Sequence, residues 1–107
     1  MIVSFETIKE AVTEVAKANG AQLAILFGSY ARGTATKHSD IDLIFVEETD
    51  LRFLDRLGRY FDPLVERLGG GVETFVYTPD EFERMKDHGF VGQALREGIV
   101  LYEHRET

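Results

Sequence analysis

The chain has no cysteine, no tryptophan and only two prolines among its 107 residues, and it has no uninterrupted apolar run of membrane-spanning length. Without cysteine there is neither a disulfide framework nor a thiolate metal site, and nothing points to a secreted scaffold. Glu6, Lys9, Glu10, Glu14 and Lys17 break up the amino-terminal segment, which leaves no stretch apolar enough for a signal peptide or a span. The expectation is a soluble, cytoplasmic protein with no membrane contact. Positive charge is also scarce. Twelve Lys and Arg against nineteen Asp and Glu give a formal net charge of −7. That balance argues against direct nucleic-acid binding, because phosphate backbones are held mainly by clusters of Lys and Arg. The histidines, at 38, 88 and 104, share no ligand spacing, so a zinc site is not expected.

What is present suffices for one compact unit. A length of 107 residues at 44% hydrophobic content supports a single core and is too short for two, so residues 1–107 are expected to form one domain. Phe5, Ile8, Val12, Val15 and Ala16 recur at helical spacing between a Ser4 cap and an Asn19-Gly20 stop. Leu51, Leu54, Leu57, Phe61, Leu64, Val65 and Leu68 mark a second helical region, which Pro63 is expected to kink or restart. Arg52, Arg56 and Arg59 on its opposite face read as a solvated basic stripe. Thr78-Pro79-Asp80-Glu81 has the capping-box pattern with proline at the first helical position, predicting a helix to about Lys86. A further helix is predicted over Gly89 to Glu97, and Ile99 to Tyr102 then reads as a final edge strand. No repeat, low-complexity tract or linker interrupts this order.

The most specific pattern lies between two predicted strands. Residues 21–27 form an apolar strand that stops at Gly28, where the backbone can bend tightly and approach a ligand. Ser29 opens a short helical stretch, Tyr30-Ala31-Arg32, whose first N–H groups are a natural seat for phosphate oxygens. After the polar turn from Gly33 to Ser39, a strand is predicted from Asp40 to Val46. On it Asp40 and Asp42 would share a face, because side chains alternate. Paired carboxylates of this kind call for a hard cation such as Mg²⁺ or Mn²⁺. Phosphate seat and acid pair together suit nucleotidyl transfer. Between Gly28 and Ser39 the charged residues besides His38 are Arg32 and Lys37, both cationic. Arg32 is read either as a phosphate contact or as a brace against an acid. Lys37 and His38 read as solvated loop residues, and Tyr30 as a gap-filler behind the turn.

The stretch Gly28-Ser29-Tyr30-Ala31-Arg32-Gly33, followed by Ser39-Asp40-Ile41-Asp42-Leu43, resembles the signature of the DNA polymerase beta-like nucleotidyltransferase superfamily, in its minimal nucleotidyltransferase (MNT) branch. The resemblance extends over essentially the whole chain. It implies an α/β (α+β) fold with a mixed β-sheet flanked by helices, Mg²⁺-dependent use of a nucleoside triphosphate with a two-metal site, and a third carboxylate on a later strand. Glu73, the one charged residue of the predicted strand 72–77, is the candidate, where the family usually carries Asp. It ligates the metal, accepts a proton from the attacking hydroxyl, does both, or is an acid near a strand end that faces water.

The expected site is therefore Asp40, Asp42 and Glu73 for catalysis and metal, with Gly28, Ser29 and Arg32 on the nucleotide. The family's commonest setting implies an antitoxin that transfers AMP from ATP to a tyrosine of a helical HEPN toxin. Two alternatives stand beside it: a binding antitoxin that acts by occupancy, and a small-molecule nucleotidyltransferase completed by a helical subunit. The Ile99–Tyr102 edge leaves room for a homodimer.

Overall fold

The computed structural model describes residues 2–104. Helix α1 spans Phe5–Asn19, with the Ser4 hydroxyl accepting from the Thr7 N–H at 3.2 Å and Gly20 closing it in the left-handed conformation. Strand β1 (Leu23–Phe27) follows, then the one-turn helix α2 (Ser29–Arg32) and strand β2 (Ile41–Val46). Helices α3 (Phe53–Arg56) and α4 (Gly58–Leu68) lead to strand β3 (Val72–Tyr77). Helices α5 (Pro79–Met85) and α6 (Gly89–Glu97) then precede strand β4 (Ile99–Glu103). The expected capping box is present at α5, where Thr78 and Glu81 bond each other's backbone reciprocally.

The four strands lie in the order β3-β2-β1-β4. β1 runs antiparallel to β2 and β4, whereas β2 and β3 are parallel, so the sheet is mixed as expected. A parallel pair needs a crossover, and α3–α4 provides it. Alternation divides the strand side chains between two layers. Ala24, Leu26, Leu43, Phe45 and Val76 face α1 and α4, while Ile25, Ile44 and Tyr77 face α5 and α6. No helix among the described residues is long and apolar enough to cross a membrane.

The region from Leu51 to Leu68 departs from its predicted layout. The break falls at Leu57, between α3 and α4, and Pro63 sits inside α4. Proline removes the N–H that would reach the Arg59 carbonyl one turn earlier. The Asn19 side-chain amide donates to that carbonyl instead, at 2.8 Å, so the carboxy-terminal residue of α1 repairs the gap in α4. The buried row is also rotated from the leucine pattern. Arg56, Tyr60 and Leu64 point inward, whereas Leu51, Leu54 and Phe61 are exposed. The basic stripe is thus a solvated face only in part: Arg52 is exposed, whereas Arg56 and Arg59 are engaged with acids. Arg56 is buried and donates to the carbonyls of Leu51 and Val76 and to Glu81 Oε1, the last at 2.6 Å. Arg59 pairs with Glu47, which also accepts from the buried Tyr60 hydroxyl at 2.6 Å. Proximity to Glu47 and Glu81, distant in sequence, accounts for both departures.

Candidate active site

Register assembles the site. Phe27 on β1 lies opposite Asp42 on β2, and Asp42 lies beside Glu73 on β3. Paired residues of neighbouring strands project from the same face. An aromatic ring and two carboxylates therefore form one row across three strands, on the face covered by α5 and α6. Residues 42 and 73, remote in the chain, become neighbours through the parallel β2–β3 pairing.

Gly28 closes the row from above. Its φ of 74° and ψ of −155° fall in a region that only glycine occupies readily. A Cβ there would also collide with Asp42 Oδ2. The turn and the acid therefore touch, and glycine is required both by conformation and by room. The Gly28 carbonyl accepts from the N–H groups of Ala31 and Arg32, which starts α2 and leaves the first N–H groups of that turn without intrahelical partners.

Electrostatics tie the acids together. The Asp42 carboxyl is pushed up from 3.8 to about 6, first by burial and then by the charge of Glu73 and a hydrogen bond with it. Asp40 adds to the rise through its charge, and Arg32 opposes it. Asp40 itself is exposed and stands one residue outside β2, where the N–H of Ile41 donates to the Gly71 carbonyl at 2.7 Å. Strand alternation therefore does not by itself align Asp40 with Asp42. Its link to the site is its charge.

A cleft of about 380 Å³ opens in front of this row. Phe27, Gly28, Ser29, Arg32 and Asp42 line it. Residues of α6, chiefly Phe90, Gln93 and Glu97, complete the lining. The α6 residues went unrecognised in the sequence because the segment reads as plain scaffold. Their positions, three and then four apart on one helix face, were the available signal. Arg32 meets Glu97 across the cleft at 3.5 Å, so of its two expected roles the brace against an acid is the contact seen. Lys37 and His38 are exposed in a turn tied by Thr36 and Ser39, away from the cleft. The Tyr30 hydroxyl accepts from the Val3 N–H at 3.3 Å and its ring packs against the core, the gap-filling role.

The donor set suits a divalent cation of the hard kind. Among the described residues no group of three or more His, Cys, Asp or Glu is arranged to hold a metal. Mg²⁺ does not need such a cage, since it is commonly bound through one or two carboxylates with substrate phosphates and water completing the shell. Burial raises Asp42 first and the charges of Glu73 and Asp40 add to it, and a bound cation would offset both by favouring the ionised carboxylate.

Residues 8–101 match the family described as Nucleotidyltransferase domain. The chain therefore belongs to that family and is a nucleotidyltransferase. A Methanocaldococcus jannaschii protein named as a putative protein adenylyltransferase is 36% identical over 78 residues, spanning 73% of this chain and 75% of the relative. Among solved structures, a toxin–antitoxin crystallised with AMP-PNP superposes with a TM-score of 0.67 at 23% identity, over 91% of this chain and 74% of that one. A tri-AMPylated Shewanella oneidensis HEPN toxin in complex with MNT antitoxin gives 0.61 at 19% identity, over 92% and 72%. These two likenesses establish the shared mixed-sheet fold.

Proposed function

We propose that the protein transfers AMP from ATP to a hydroxyl of a partner protein, a tyrosine of a helical HEPN-type toxin, and thereby acts as an antitoxin. The observation that carries this reading is the Asp42–Glu73 pair set against the Gly28 turn at the mouth of a nucleotide-sized cleft. The description of the M. jannaschii relative as a protein adenylyltransferase supports the reaction class. The toxin–antitoxin complexes that share the fold, one with AMP-PNP and one with an AMPylated toxin, support ATP and the partner.

In this reading Gly28, Ser29 and Arg32 receive the triphosphate, and Arg32 exchanges Glu97 for phosphate oxygens. Asp42, flanked by Asp40, would hold Mg²⁺. When bound, that ion neutralises the acids and the charge developing on the phosphates. Glu73 is exposed on β3 beside Asp42, open to a second protein, and accepts the proton of the incoming hydroxyl. The hydroxyl oxygen bonds to the α-phosphorus, the α–β anhydride bond breaks, and pyrophosphate leaves. The test is incubation of the purified protein with Mg²⁺ and α-phosphate-labelled ATP in a lysate of its source cells. A labelled protein band that disappears with Asp42→Asn is expected, and equal labelling by that variant would overturn the mechanism.

One observation favours a second reading. Glu73 stands exposed on β3 where the family usually carries the shorter Asp, as would suit an antitoxin that neutralises its partner by occupancy alone. Full protection from toxicity by an Asp40→Ala, Asp42→Ala double variant that still binds the partner would establish it.

A further inference from the structure

Three phenylalanines meet beside the acids. Phe27 and Phe90 contact edge to face with ring centroids 5.3 Å apart, Phe75 and Phe90 are 5.1 Å apart, and Phe27 and Phe75 are 6.2 Å apart. Phe27 neighbours Asp42 by register, and Phe75 follows Glu73 by two residues on the same face of β3. The cluster is thus the continuation of the catalytic row. Phe27 and Phe75 are half-buried, but Phe90 is 48% exposed and turns its free surface into the cleft. A ring held rigidly by two others, with half its surface left bare, is a preformed platform for a flat aromatic ligand. Gln93 lies three residues along α6, on the same helix face as Phe90, and lines the same cleft.

We infer that Phe90, braced by Phe27 and Phe75, stacks the nucleobase of the substrate, and that the Gln93 amide reads its edge and selects adenine. This rests on the nucleotidyl-transfer reading above and assigns the base-selecting end of that same site. The selection follows from hydrogen-bond polarity. A side-chain amide offers one acceptor and one donor side by side, which matches the amino group and N7 of adenine. Guanine presents two acceptors there, so one contact becomes repulsive. The placement also orders the substrate along the cleft. The base lies at the α6 end, and the phosphates reach the Gly28–Ser29 turn and Asp42.

Calorimetry of Mg-ATP, Mg-GTP and Mg-tripolyphosphate binding to the wild-type protein, Phe90→Ala, Phe90→Trp and Gln93→Ala tests this directly. Tripolyphosphate carries the phosphates without a base. Phe90→Ala should weaken ATP binding roughly tenfold or more, the scale of a lost base–aromatic stack, and leave tripolyphosphate unchanged. Phe90→Trp should restore ATP binding, which a merely misfolded variant would not allow. Gln93→Ala should erase most of the preference for ATP over GTP. Equal ATP affinity in wild type and Phe90→Ala would overturn the inference while leaving nucleotidyl transfer intact, and so would parallel losses for ATP and tripolyphosphate. Failure of the wild-type protein to bind either ligand would instead remove the reading on which it rests.

Discussion

Asp42 is held against its own chemistry. A carboxyl raised from 3.8 to about 6 by burial and by Glu73 binds protons in the folded chain at a pH where the unfolded chain has released them. Folding stability from this group is therefore greatest below its unfolded value, falls as pH rises through the window from 3.8 to about 6, and stays reduced above it. Asp42→Asn removes the repulsion and supplies an amide that can donate to Glu73. That variant should melt higher than the wild type at pH 7, by on the order of 4 °C, and the gap should close when both are melted at pH 4. Thermal melts of the two proteins across pH check both sign and window. Added Mg²⁺ should raise the melting temperature of the wild type and leave that of Asp42→Asn unmoved. At Gly28, a Cβ meets both a glycine-only backbone conformation and the Asp42 carboxylate. Gly28→Ala should cost roughly 1–3 kcal/mol in denaturant unfolding and lower turnover far more than its loss of stability explains.

The elements are joined by polar staples that local sequence does not reveal. Arg56 bridges the end of α3, the β3 carbonyl of Val76 and the capping-box Glu81 of α5. Its guanidinium holds the Glu81 carboxyl below the usual range. Arg56→Ala orphans two backbone carbonyls and should destabilise the fold by about 2–3 kcal/mol in urea titration. Gly98 serves a different joint. A Cβ there would come within 2.5 Å of the Ala94 carbonyl and 2.8 Å of Ile25, so α6 reaches the sheet only because this residue is bare. What could be read in advance was local: the Ser4 and Thr78 caps, the strand alternation and the Gly28-Ser29 break all depend on neighbours a few residues away. The roles of Arg56, Arg59, Phe90 and Gln93 depend on partners that only the folded sheet brings near. The leucines at 51 and 54 misled for the same reason, since burial on that segment is decided by Glu47 and Glu81 and not by its own periodicity.

Among the described residues, both outer strands of the sheet, β3 and β4, are paired on one side only. On β4 Val100 is 54% exposed, the kind of edge through which two copies can pair. If the chain self-associates through β4, sedimentation should show a concentration-dependent dimer that Val100→Lys abolishes with no change in nucleotide binding. A monomer at all concentrations would leave that edge to other use. The parallel alignment of β2 with β3 has a further consequence. Asp42 and Glu73 meet because thirty-one positions separate them and the crossover closes on that number. Sliding β3 by one residue would turn Glu73 and Phe75 into the packed layer beneath the sheet and bring Thr74 to the surface in their place. The length of the connection is thus a chemical parameter in its own right. A single residue gained or lost in the run Gly69-Gly70-Gly71 before β3 must be absorbed in the loop, or it parts Asp42 from Glu73 without altering any side chain of the site.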